Sequence, residues 1–219
     1  MSIAESASAR LLVVLDVDST LIHDEVIELL AEHAGAGSLV ADITERAMRG
    51  ELDFAQSLRE RVATLRGLRE SVFVDVASRI RITDGVPELV DAVHAAGGIV
   101  GVVSGGFHEL VDGLAERLHL DLWRANRLQV IDGILTGELD GPVVDAAAKE
   151  SALREWAKDA GTPLSRTVAI GDGANDLRMM QAAALSVAFC AKPAVREQAN
   201  VAVETRDLAQ VLPLLGLRG

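Results

Sequence analysis

Five short runs of aliphatic and β-branched residues recur along the chain: LLVVL at 11–15, IVGVV at 99–103, TVAI at 167–170, LSVAF at 185–189 and NVAV at 200–203. None shows polar alternation, and each is too short for a helix, which is the pattern of a strand buried on both faces. Helical periodicity fills most of the gaps between them, at about 86–96, 107–118, 145–160 and 174–183. Strand and helix in alternation predict an α/β fold, a Rossmann-like parallel sheet with helices on both faces. Segment 127–139 departs from this, because its Asp132-Gly133 pair between two β-prone runs predicts a short β-hairpin.

One stretch interrupts the alternation. From 22 to 80 there is no convincing strand, only helical spacing such as Val26, Leu29, Leu30, His33 and then Phe54, Leu58, Val62, Leu65. Open α/β sheets bind ligands beyond the carboxyl ends of their strands. A helical insertion directly after the first run would therefore cover the site. The expected division is a core formed by 1–21 and 81–219 and a helical cap formed by 22–80.

Composition narrows the function. With 219 residues and 49% hydrophobic content, one core with an insertion fits and a disordered chain is excluded. The 33 acidic against 21 basic residues leave a net charge of −12. That opposes a nucleic-acid partner, which needs a basic surface. The single cysteine, Cys190, excludes an internal disulfide framework. No apolar run approaches the ~18 residues of a membrane span. The stretch Met1–Arg10 lacks the basic start and apolar segment of a signal peptide. A soluble cytoplasmic protein without membrane or nucleic-acid partners, monomer or homodimer, is expected.

The chemistry gathers where strands end. Asp16-Val17-Asp18-Ser19-Thr20 follows the first run, and two carboxylates two residues apart in extended chain can point the same way. Gly171-Asp172-Gly173-Ala174-Asn175-Asp176 follows the third. Four carboxylates brought together repel one another unless a cation joins them, and hard oxygen ligands suit Mg²⁺. Taken singly, each segment also fits a plain turn or a helix cap. Ser104-Gly105-Gly106, after the second run, offers a hydroxyl and close backbone N–H groups to an anion, or only a Ser-capped turn. Lys149 lies on the inward stripe of its helix with Ala146, Leu153, Trp156 and Ala160. An ammonium there needs a partner, such as a bound phosphate, or must snorkel to solvent.

A nucleophilic aspartate, a second acid two residues on, a phosphate cradle, a lysine and a metal site are the parts of a phosphoryl-transfer centre. With the segments DVDSTLIHDEVIELLAEHAG, ITERAMRGELDFAQSLRERVATL, VSGGF, ANRLQV, GDGANDLRMM and AFCAKP, the chain resembles the phosphatases of the haloacid dehalogenase superfamily. It is most similar to those that act on phosphoserine, across nearly its whole length. The resemblance implies hydrolysis of O-phosphoserine to serine and phosphate, the last step of serine biosynthesis, through an aspartyl-phosphate. It implies Asp16 as nucleophile and Asp18 as general acid and base. Mg²⁺ would be held by Asp16, the carbonyl of Asp18 and Asp172, with Asp176 in support. Ser104, Gly105 and Lys149 would bind the phosphoryl group, and Asn175 would line the pocket. Glu25 and Arg61 would read the amino acid, with Met48 and Phe54 packing over it. Arg61 has support of its own, since it occupies an apolar stripe with Phe54, Leu58 and Leu65, where a guanidinium wants a carboxylate.

A related phosphatase or phosphotransferase acting on another small monoester would use the same parts. So would a receiver-like phospho-acceptor module, although Asp18 and the long cap argue against it. The chain differs from many members in having Val17 between the two aspartates. The amino-acid-binding regulatory domain of longer relatives is not expected, nor feedback through such a domain.

Overall fold

The computed structural model describes residues 9–218. Most of the stretch read as lacking a signal peptide lies outside them. The strands are β1 (Leu12–Leu15), β2 (Ile99–Phe107), β3 (Leu122–Asn126), β4 (Leu128–Ile131), β5 (Ile134–Leu139), β6 (Thr167–Gly171), β7 (Leu185–Phe189) and β8 (Val201–Val203). Six form one parallel sheet in the order β3-β2-β1-β6-β7-β8, while β4 and β5 form an antiparallel hairpin. The expected α/β architecture is therefore present.

The helices are α1 (Val26–His33), α2 (Gly37–Met48), α3 (Phe54–Ala63), α4 (Val72–Arg79), α5 (Val86–Ala95), α6 (His108–Arg117), α7 (Ala146–Asp159), α8 (Leu177–Ala182) and α9 (Pro193–Arg196). The first four lie between β1 and α5, where periodicity predicted helix and no strand. Among the described residues no helix is long and apolar enough to cross a membrane.

The sheet is buried on both faces, as its apolar runs require. Val13 and Leu15 of β1 join the hydrophobic cluster that includes Leu89 of α5 and Leu110 of α6. Leu12 and Val14 point the other way, into a cluster with Leu153 and Trp156 of α7 and Met179 of α8. Central β1 pairs with both β2 and β6, and the chain reverses direction across the sheet between them. That switch point is where an open sheet leaves a crevice.

Several elements differ from expectation. Strand β3 (LWRAN) was not predicted, because it is an edge strand with Arg124 in its middle and only its last two residues buried. The 174–183 helix is broken: 174–176 form a 3₁₀ turn before α8. Ser104-Gly105-Gly106 is no turn after a strand. It continues β2 to Phe107 in extended form, with a register shift against β3 between Val103 and Phe107. The Asp132-Gly133 hairpin turn is present, both residues having positive φ (51° and 75°) as a type I′ turn demands. A 3₁₀ segment, Leu208–Leu215, that periodicity did not suggest closes the described chain.

Candidate active site

Register alone brings the two acidic motifs together. Leu15 pairs with Ile170, and the Asp16 N–H donates to the Ile170 carbonyl at 2.9 Å. Asp16 and Asp172 thus leave adjacent strands side by side. After β1 the chain makes one wide turn through 17–21, closed by Ile22 N–H donating to Val17 O at 3.0 Å. Ser19 sits in it with left-handed φ of 57°. The Asp18 carboxylate accepts from Val26 N–H at the start of α1 at 3.4 Å, and Thr20 donates to Asp172 at 3.4 Å.

Carboxylate oxygens of Asp16, Asp172 and Asp176 lie within 4.8 Å of one another. Asp176 is fully buried: one oxygen faces Lys149 at 2.8 Å and the other accepts from Gly173 N–H at 3.0 Å. Gly171 makes this possible, since a Cβ there would fall on the Asp176 carboxylate. Lys149 reaches Asp16 as well, at 2.6 Å. It stands in the first turn of α7, which Asp145 caps through Ala148 N–H at 2.9 Å. The sequence posed a choice between a bound phosphate and snorkelling for Lys149, and the structure shows a third solution. The ammonium is fully buried and paired with two carboxylates.

The electrostatics follow from that packing. Burial pushes the Asp16 carboxyl up, joined by Asp176 and Asp172 and opposed by Lys149, to about 8. Asp18 is also held well above the ordinary carboxylate range, by burial, Glu25 and Asp16. Asp172 rises to about 6, chiefly by burial and then through Asp176. Burial alone would lower Lys149, but Asp16 and Asp176 outweigh it and raise it. Among the described residues Lys149 is the one cation fully buried with this cluster. The acidic excess, in hard oxygen donors, fits a divalent cation.

Above the cluster opens a cavity of about 280 Å³. Asp16, Asp18, Glu25, Phe54, Arg61, Gly105, Asp172 and Asn175 line it, all singled out in the sequence. Phe54 lies so close over Gly105 that a Cβ on the glycine would sit 2.9 Å from its ring. Arg61 enters from α3, whose start is fixed by a capping box between Asp53 and Gln56. Burial lowers its guanidinium, while Glu25, Asp18 and Glu28 act to raise it.

Other expectations are corrected. Met48 ends α2 with its residue surface 70% exposed and does not line the cavity; Thr44, one turn earlier, does. Ser104 is buried beneath the lining, its oxygen accepting from Gly106 N–H at 2.8 Å, so that N–H is already engaged. Gly106 and Gly173 of the motifs and Leu58 of the Arg61 stripe line the cavity too, while Ile27, Glu28, Phe107 and Lys192 also line it and were not anticipated. Lys192 had a signal: like Asp16 and Asp172, it follows a strand end, that of β7. Glu28 lies in the first turn of α1, three residues beyond Glu25, which directly precedes that helix.

The family model of haloacid dehalogenase-like hydrolases matches residues 13–181. A phosphoserine phosphatase of Streptococcus thermophilus is 54% identical over 204 residues, which are 93% of this chain and 95% of the relative. One from Streptomyces coelicolor is 56% identical over 95% of this chain but only 51% of its own length, so the chain spans about half of it. A solved phospho-aspartyl intermediate analogue of phosphoserine phosphatase superposes with a TM-score of 0.89 at 43% identity, covering 94% of this chain and 99% of that one. The motifs, the sheet order and these likenesses agree, and the chain belongs to the haloacid dehalogenase-like hydrolase family.

Proposed function

We propose that this protein is a Mg²⁺-dependent phosphatase that hydrolyses O-phosphoserine to serine and phosphate through an aspartyl-phosphate on Asp16. One observation carries the reading. A single cavity brings the Asp16–Asp18 pair, a nucleophile and an acid for a phosphoryl group, together with Arg61 and Glu25, groups complementary to a carboxylate and an ammonium. The relatives named phosphoserine phosphatase support the same substrate.

In this reading the Asp16 oxygen attacks phosphorus and the bond to the serine oxygen breaks. Asp18, whose carboxyl burial and neighbouring charges keep protonated to higher pH, gives its proton to the departing oxygen. It then takes a proton from the water that cleaves the aspartyl-phosphate, which restores both residues. Lys149 holds Asp16 in line and offsets its charge. Ser104 and Gly105 shape the phosphoryl pocket, and Asn175 borders it. Arg61 binds the substrate carboxylate as a planar fork and Glu25 its ammonium. Phe54 closes over Gly105, helping to exclude water. Asp16, Asp172 and the Asp18 carbonyl would hold Mg²⁺, supported by Asp176. When bound, the ion supplies positive charge against the phosphoryl oxygens. The helices between β1 and α5 act as the cap, and their cover over the strand ends speaks against a receiver-like module.

Phosphate release from a panel of monoesters, with Mg²⁺ and then with EDTA, tests this. Phosphoserine should be the preferred ester and chelation should stop its turnover. Preference for another ester would remove the serine assignment and leave the chemistry standing.

A further inference from the structure

Arg206 lies just beyond β8, far in sequence from the acidic motifs, and forms no ion pair among the described residues. Its guanidinium instead donates to the Ser19 carbonyl at 3.0 Å. Ser19 is an unusual residue to hold. It stands between Asp18 and the cap with φ 57° and ψ 2°, a left-handed conformation that a side chain with a Cβ adopts at a cost. From that conformation its hydroxyl donates to Glu25 Oε1 at 2.7 Å. Glu25 occupies the position before α1 but makes no capping bond to the helix, so its carboxylate is left to Ser19 and the cavity.

The loop bearing Arg206 has anchors of its own. Leu208 N–H donates to Asp84 O at 2.7 Å, and Asp207 accepts from Ala209 N–H at 2.9 Å. Fastening the loop therefore does not require the arginine. We propose that Arg206 is a positioning residue for ammonium recognition: by gripping the Ser19 carbonyl it maintains the turn from which the Ser19 hydroxyl aims Glu25 into the cavity. This rests on the reading of Glu25 as the ammonium-binding group.

The test compares phosphoserine with the phosphate ester of 3-hydroxypropionate, the same molecule without its ammonium, in Arg206→Gln, Arg206→Lys, Ser19→Ala, the Arg206→Gln/Ser19→Ala double variant and Glu25→Gln. Arg206→Gln should raise KM for phosphoserine by about tenfold, with kcat within about twofold and the deamino ester unaffected. Arg206→Lys, which keeps a donor, should recover most of that loss. Ser19→Ala should give the same phosphoserine-specific rise, and the double variant should be no worse than either single one, because both act along one chain of contacts. Equal losses on both esters, or additive losses in the double variant, would overturn the proposal. Glu25→Gln separates the two readings. If it discriminates between the esters while Arg206→Gln does not, the positioning role alone falls. If it does not discriminate, the assignment of Glu25 falls and takes the positioning role with it.

Discussion

At the floor of the cavity, Asp16 and Asp176 share one lysine and are buried. Above it, Glu25 stands just before α1 and Arg61 on α3, and ion pairs of the neighbouring helices α2 and α3, such as Arg46–Glu60 at 2.9 Å, remain wet. The floor is built from strand ends, so backbone register places its groups and burial magnifies their charges. The roof is built from side chains on and beside short helices, where the surrounding ion pairs are screened by water and each contact is individually weaker. One region therefore suits bond making, which needs fixed fields. The other suits recognition, which needs groups that can be changed without dismantling the chemistry.

The sharpest way to break this contrast is at the floor. Asp16→Asn should reduce phosphate release by roughly 10⁴-fold or more, since in the proposed mechanism no other group supplies the attacking oxygen. Wild-type turnover in that variant would remove the nucleophile from the account. Lys149→Met comes next. It strands two buried carboxylates and should lower stability by about 3–5 kcal/mol in urea unfolding. The matching substitution in the roof, Arg61→Met, should cost far less, and equal costs would erase the distinction between the regions.

The roof should show its effect in substrate choice. Losing a charged hydrogen bond is worth about 1.5–3 kcal/mol, so Arg61→Ala should raise KM for phosphoserine ten- to a hundredfold. Phosphoethanolamine, which has no carboxylate, should respond little, and steady-state kinetics on both esters would expose a non-specific loss.

The smallest effect belongs to the strands of chain that join roof and floor. There Asp24 pairs with Arg81 at 2.7 Å. Burial raises the Asp24 carboxyl, but the Arg81 side chain and N–H outweigh it, so its folded value lies below the ordinary one. The pair thus contributes stability above the usual carboxylate range, and that contribution is lost as pH falls through the folded value. Because Arg81 is exposed, the shift in urea midpoint for Asp24→Asn should be slight at neutral pH. It should vanish below both values.

Much of this was legible beforehand. The strands that bear the acidic motifs announce themselves as unbroken apolar runs, and a carboxylate one residue beyond such a run has few places to go. Edge strand β3 gave no such signal, since its Arg124 is half-exposed. Met48 shows the limit within a helix. Both it and Thr44 lie on α2, and only the packing of that helix turns Thr44 to the cavity and leaves Met48 in solvent.

The alternation of strand and helix, the helical insertion and the acids at strand ends are all written in local sequence, because each is encoded by neighbours within a few residues. Only the three-dimensional packing settled that Lys149 satisfies its charge on Asp16 and Asp176, that Thr44 rather than Met48 faces the cavity and that Arg206 reaches Ser19. The reason is physical. Periodicity records which face of an element is apolar, whereas the partner of a charge depends on which elements the sheet order sets side by side, and that order is a property of the whole chain.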